Sequence, residues 1–277
     1  TAHGRLVGRT QEGSEVVVLA VVSAKGGVGK TTVTANLAMA LSGDRNVVTV
    51  DLDPQNALRL HLGVSAGEIE GVGRATLEGH AWSSCLFRGG SGPYVLPYGN
   101  LNEGDRDAFE VHLSSNPDWL AKGLASLGLG DKDLVVIDTP PGPSLYQQQV
   151  LRIAHFVLVV IHGDPASYAT LPAMESILAK YCNHRADFVG AAYLLNNIPP
   201  GSALARDVVK VVRSDLGERL VPTVIHQDEA VKEALAFHQL VLQYAPHSEA
   251  SRDIGKAAAW ISTKLAPAFK QKRTTKP

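Results

Sequence analysis

A three-layer α/β fold, with helices on both faces of a mostly parallel central sheet, is predicted by three observations. Short apolar runs recur at residues 16–22, 47–50, 134–137, 156–161, 189–195 and 221–225 without polar alternation, as expected of strands buried on both faces. Segments of helical periodicity separate most of them, so strand and helix take turns along the chain, the mark of parallel crossovers. Three of the runs pass directly into glycine-rich or acidic stretches, at residues 23–32, 51–53 and 138. In an open parallel sheet such stretches collect along one edge, where ligands bind.

The elements follow in order. A helix is expected over residues 33–41, then the strand at 47–50. Residues 56–78 look helical in two pieces broken near Gly63, and a Gly, Ser and Pro-rich section follows with a short strand at 94–96. Helices are expected over 105–113 and 117–127, the second capped by Asn116 with Trp119, Leu120 and Leu124 on one face. The strand at 134–137 ends in Asp138, and the strand at 156–161 leads to a helix over 167–181. Beyond them come a strand at 189–195, a helix over 203–216, a strand at 221–225, a helix over 228–236 and a last helix over 248–265.

Composition narrows the class. With 26 basic and 27 acidic residues the net charge is −1, which argues against disorder and against a strongly nucleic-acid-seeking protein. Cys85 and Cys182 stand far apart without a C-x-x-C and fit a reduced, cytoplasmic setting. No apolar run is long enough to cross a bilayer. Residues 1–15 are polar with no signal-like apolar core, so a flexible segment is expected there, one domain over 16–266, and a basic, disordered tail over 267–277.

The chemistry concentrates in Ser23-Ala24-Lys25-Gly26-Gly27-Val28-Gly29-Lys30-Thr31-Thr32, between a strand and a helix start. Glycines let consecutive N–H groups turn inward on oxyanions, and the helix N-terminus adds unpaired donors and a positive dipole end. In such a phosphate-binding loop Lys30 lies against the β- and γ-phosphates and the Thr31 hydroxyl serves Mg²⁺, with ATP as the nucleotide. Asp138, at a strand end, occupies the place of a metal-holding carboxylate. Asp51 and Asp53 repel each other unless a cation compensates. Asp53 is therefore expected to orient the attacking water and Asp51 to stand in the metal's outer sphere. His162 and His226 show no ligand spacing.

The loop departs from G-x-x-x-x-G-K-[ST] by carrying Ala24 and then Lys25. In this it resembles the deviant Walker A motif K-G-G-x-G-K-[ST] of the ParA/MinD family. Asp51-Leu-Asp-Pro-Gln-Asn56 resembles that family's switch I, and Asp138-Thr-Pro-Pro-Gly142 its Walker B and switch II. The resemblance implies a P-loop ATPase fold and a homodimer closed face to face over two ATP molecules. Lys25 then crosses to the other subunit's phosphates, while Gly26 and Gly27 allow the two backbones to approach. It also implies that Asn196 or Asn197 reads adenine, with the segment from Pro222 to Asp228 flanking the base. Iron–sulfur relatives need cysteines close after Asp138, and none follows until Cys182.

Leu96-Pro-Tyr-Gly-Asn-Leu-Asn-Glu-Gly-Asp105, Asn116-Pro-Asp-Trp-Leu120 and Ala166-Ser-Tyr-Ala-Thr-Leu-Pro172 look like the cellulose-synthase-associated BcsQ (YhjQ) branch. That likeness implies an ATP-dependent dimer switch acting on a cellulose synthase and secretion complex, at the membrane only peripherally or through partners. Three other readings remain. A partition-type DNA binder would need a basic stripe, for which Lys210, Arg213, Lys256 and Lys264 are candidates. A MinD-like membrane cycler would use Trp260, Ile261, Leu265 and Phe269 in an amphipathic end that Pro267 interrupts. An ATP-loaded scaffold that scarcely hydrolyses would carry the same residues as the switch.

Overall fold

The buried apolar runs form one parallel sheet. The computed structural model describes residues 16–43, 45–89 and 92–274; residues 1–15, for which a flexible segment is expected, and 275–277 lie outside them. The first half contains β1 (Val17–Val22), α1 (Lys30–Ala40), β2 (Val47–Asp51), α2 (Leu58–His61), α3 (Val72–Glu78), β3 (Phe87–Arg88), β4 (Tyr94–Leu96), α4 (Glu103–Ser115) and α5 (Trp119–Ala125). The second contains β5 (Leu134–Asp138), α6 (Leu145–Leu151), β6 (Phe156–His162), α7 (Pro165–Tyr168), α8 (Leu171–Tyr181), β7 (Gly190–Asn196), α9 (Ala203–Leu216), α10 (Glu229–Ala236), α11 (Val241–Tyr244) and α12 (Glu249–Thr274).

The strand order is β3-β4-β2-β5-β1-β6-β7, parallel throughout except for the β3–β4 pair. Alternate residues of β1 feed two cores, since side chains of a strand point to opposite faces. Val18, Ala20 and Val22 pack with α3–α6, α8 and α9. Val17, Leu19 and Val21 pack with α1 and α12 on the other face. The expected three-layer α/β/α arrangement is thus present. Chain order reverses around β1 and β5, and this centre aligns Val21 and Asp51 with Asp138 across neighbouring strands.

Local expectations fail where long-range contacts intervene. Asn116 does not cap α5. Its side chain bonds back to the His112 carbonyl (2.8 Å) and closes α4, leaving Asp118 before α5 with no side-chain cap. Residues 221–225 form no strand. Val221 and Ile225 donate amides to Tyr193 and Leu195 of β7 at 2.9 Å, but Pro222 between them has no N–H to continue a ladder. The helix expected over 167–181 is two, α7 and α8, with Asp164 capping the first.

The C-terminal tail is corrected as well. Pro267 does not end the last helix, which runs on to Thr274. A proline inside a helix costs about 3 kcal/mol, and packing on both sides of it offsets this. Leu265 and Ala268 are fully buried, and the Arg45 guanidinium lies 4.4 Å over the Phe269 ring. Ile261 is buried in the same core. The apolar face read as a possible membrane surface is therefore spent on the sheet.

Candidate nucleotide site

The edge formed by the C-terminal ends of β1, β2 and β5 holds an unusual density of buried polar groups. The loop after β1 turns through Gly27 and Gly29, both left-handed (φ 76° and 79°), and delivers Lys30 as the first residue of α1. A side chain at Gly29 would meet the Asn196 amide nitrogen at 2.4 Å and displace it from the Val28 carbonyl, and the left-handed φ favours glycine independently. Helix α1 has neither a side-chain cap nor an acidic residue in its first turn. Its leading N–H groups remain available to an anion.

Asp138 organises what lies beneath. The Lys30 ammonium donates to its Oδ1 at 2.9 Å and the Thr31 hydroxyl to its Oδ2 at 2.6 Å. A third donor, Thr34, belongs to no motif in the sequence, and its only signal there is its place on the Lys30 face of α1, one turn further on. Its Oγ1 is 2.9 Å from Asp138 Oδ1. Thr139 donates to the Val21 carbonyl (3.0 Å) and Gly142 N–H to the Ser23 carbonyl (2.9 Å), which fastens the loop after β5 to the loop after β1.

The two remaining aspartates lie along the same edge. Asp51 is fully buried, and its two oxygens accept the amides of Asp53 (2.9 Å) and Leu58 (3.0 Å). Burial, then the Asp138 charge, pushes its carboxyl far above the usual carboxylate range despite those amides. Asp53 is half-buried and also raised by burial, opposed by the Gln55 amide and the Lys30 charge. Three carboxylates sharing so little solvent, beside a bare helix N-terminus, form a donor set that would suit a divalent cation and an anionic ligand.

Around this centre the other expected residues take distinct places. Lys25, Gly26 and Gly27 line the open side of the loop, half-exposed or exposed, while Val28 is buried beneath it. Burial disfavours an ionised Asp164, but bonds from Ser167 and the Lys25 charge win and hold its carboxyl below the ordinary value. Asn196 is buried against the loop and donates to the Val28 carbonyl at 2.8 Å. Asn197 points to the exterior with φ 56°, and Pro222 is exposed nearby along the edge of β7. His226 bonds to Asp253 at 2.7 Å. Both cysteines are buried, with thiols pushed up by burial.

Comparison with known proteins agrees with this geometry. The family described as "Cellulose biosynthesis protein BcsQ" matches residues 16–261. This chain belongs to the BcsQ family. Among its relatives, the cellulose biosynthesis protein BcsQ of Escherichia coli K12 is 30% identical over 247 residues, covering 88% of this chain and 94% of the relative. The chromosome-partitioning ATPase Soj of Thermus thermophilus is 30% identical over 257 residues, covering 90% and 97%. The family is thereby placed within the wider ParA/MinD class. Among solved structures, cobyrinic acid a,c-diamide synthase of Mycobacterium smegmatis, with a bound ATP analogue and magnesium, superposes with TM-score 0.74 at 25% identity, over 91% of this chain and 96% of that one. MinD of Pyrococcus horikoshii, complexed with Mg-ADP, shares the fold at TM-score 0.71 and 24% identity, over 92% and 99%.

Proposed function

We propose that this BcsQ-family chain is an ATP-driven dimer switch that binds ATP with Mg²⁺, hydrolyses it slowly and regulates assembly or placement of a cellulose synthase complex. The observation that carries this reading is the convergence of Lys30, Thr31 and Asp138 under a left-handed glycine loop at an uncapped helix N-terminus. The loop amides and Lys30 would receive the β- and γ-phosphates. Thr31 and Asp138 would hold the metal, with Asp51 behind them. Mg²⁺ bound there would draw charge from the phosphate oxygens.

Asp53 would orient a water in line with the γ-phosphorus. The water oxygen would bond to the γ-phosphorus as the bond from that phosphorus to the β–γ bridging oxygen breaks; the electron pair would leave with ADP and the water's protons with the inorganic phosphate and solvent. Asn196, already seated against the loop, and Pro222 would flank the base. Lys25, on the open side and unneeded for the Asp138 cluster, would reach the phosphates of a second copy, so that ATP rather than ADP favours the dimer. A ligand shifts such an equilibrium only through its different affinity for the two states.

A partition-type role is the second reading, favoured by the likeness to Soj. Salt-sensitive retention of nonspecific duplex DNA would support it, and its absence at low salt would remove it. For the leading reading, Lys30→Ala is expected to weaken ATP binding at least about 100-fold by calorimetry, since a charge-assisted phosphate contact is lost. Lys25→Ala should retain ATP binding yet lose ATP-dependent dimers in light scattering. Undiminished ATP affinity in the first variant sinks the nucleotide site, and persistent dimers in the second sink the crossing lysine.

A further inference from the structure

Among the described residues Asp138 has three side-chain donors, and they differ in what else they are needed for. Under the nucleotide reading above, on which this inference rests, Lys30 is drawn toward phosphate and the Thr31 hydroxyl toward the metal. Thr34 has neither task. It is fully buried, and its hydroxyl lies 2.9 Å from both Asp138 Oδ1 and the Lys30 carbonyl, one proton shared between two acceptors.

We infer that Thr34 is the positioning residue for the metal-holding carboxylate. It retains Asp138 Oδ1 when Lys30 and Thr31 turn away, and so keeps Oδ2, the oxygen that Thr31 vacates, directed at the cation. A carboxylate with one oxygen tethered has lost the rotation about its terminal bond that would otherwise compete with metal coordination. Because Thr34 and Thr31 ride on the same helix, the tether and the metal-binding hydroxyl keep a fixed spacing. Thr34 touches neither nucleotide nor metal in this arrangement. Its effect travels through Asp138 alone, as outer-sphere partners of metal ligands act.

The test uses the full chain and fluorescent N-methylanthraniloyl-ATP, titrated with MgCl₂ and, separately, in excess EDTA. Thr34→Val keeps the side-chain volume and removes the donor. The Mg²⁺ concentration for half-maximal nucleotide binding should rise at least about tenfold, the usual effect of removing an outer-sphere partner. Metal-free nucleotide binding should stay unchanged, and Thr34→Ser should restore the wild-type Mg²⁺ dependence. Thr34→Val with wild-type Mg²⁺ dependence overturns the assignment. So does a variant weakened equally in EDTA and in Mg²⁺, which would mark a role in holding the helix instead. If the wild-type chain binds no nucleotide, or binds it without regard to Mg²⁺, the nucleotide reading itself fails and this inference with it.

Discussion

Two buried regions of this molecule are stabilised in opposite ways. On one flank, between the sheet and α3–α6, aromatic rings pack edge to face. Phe109 lies 5.3 Å from Trp119 and 5.9 Å from Tyr98, and Trp119 lies 5.0 Å from Trp82. Two ring hydroxyls there pair with each other, Tyr98 lying 2.8 Å from Tyr146, which in turn donates to Glu110. At the strand ends the buried groups are charged. Lys30 meets Asp138 with almost no solvent, and Asp51 and Asp53 resist ionisation. The aromatic flank is held by ring packing that asks for no ligand. The strand-end cluster is held together by contacts that a cation and phosphates would rearrange, which is the expected state of a site prepared for a charged ligand.

The largest expected effect tests whether the regions are separate. Phe109→Ala should cost about 3–5 kcal/mol of stability in urea unfolding, the range for emptying a buried aromatic site. ATP affinity of the molecules that remain folded should stay within about twofold, because the side chains that donate to Asp138 are Lys30, Thr31 and Thr34 and none belongs to the ring cluster. The contact most able to break this separation is Tyr98, whose N–H donates to Asn56 Oδ1 at 3.1 Å, in the loop that carries Asp53. A parallel collapse of ATP affinity would show that the flank sets that loop.

A smaller effect sharpens the electrostatic side. The Asp51 carboxyl is raised in the folded chain, so the folded state keeps a proton that the unfolded state gives up. Its contribution is fully present below the ordinary carboxylate value near pH 4 and is lost as pH rises toward the folded value. The slope approaches about 1.4 kcal/mol per pH unit for one proton. Asp51→Asn should flatten the fall in metal-free thermal stability from acid to neutral pH. It should also cost about 1 kcal/mol in acid, since an amide offers one oxygen where two backbone N–H groups seek acceptors. An unchanged pH profile would mean that Asp51 is not the group bearing the strain.

Much of this was legible along the chain because its causes are local. The loop from Lys25 to Thr32 needs only glycines at particular steps and a helix behind it, and the strands needed only unbroken apolar runs. The placing of Asp51 and Asp138 on one edge followed from parallel topology. What could not be read locally depended on partners far away in sequence. Thr34 looks like an ordinary helix residue until Asp138 arrives beside it, and Asn36 gains its purpose from the Val241 amide it accepts (2.9 Å). Asn116 had two helices within reach, and only the packed chain decides which it serves.

The sequence by itself determined the parallel strands β1, β2, β4, β5, β6 and β7, the glycine-rich loop and the three aspartates at strand ends, since backbone freedom, burial and strand direction are written in neighbouring residues. Tertiary structure alone decided that Asn196 braces the loop, that residues 222–225 run beside β7 without joining it, and that α12 continues past Pro267. Each of these rests on a balance between a local cost and a distant contact. The cost is visible in the residue, and the contact exists only once the chain has folded.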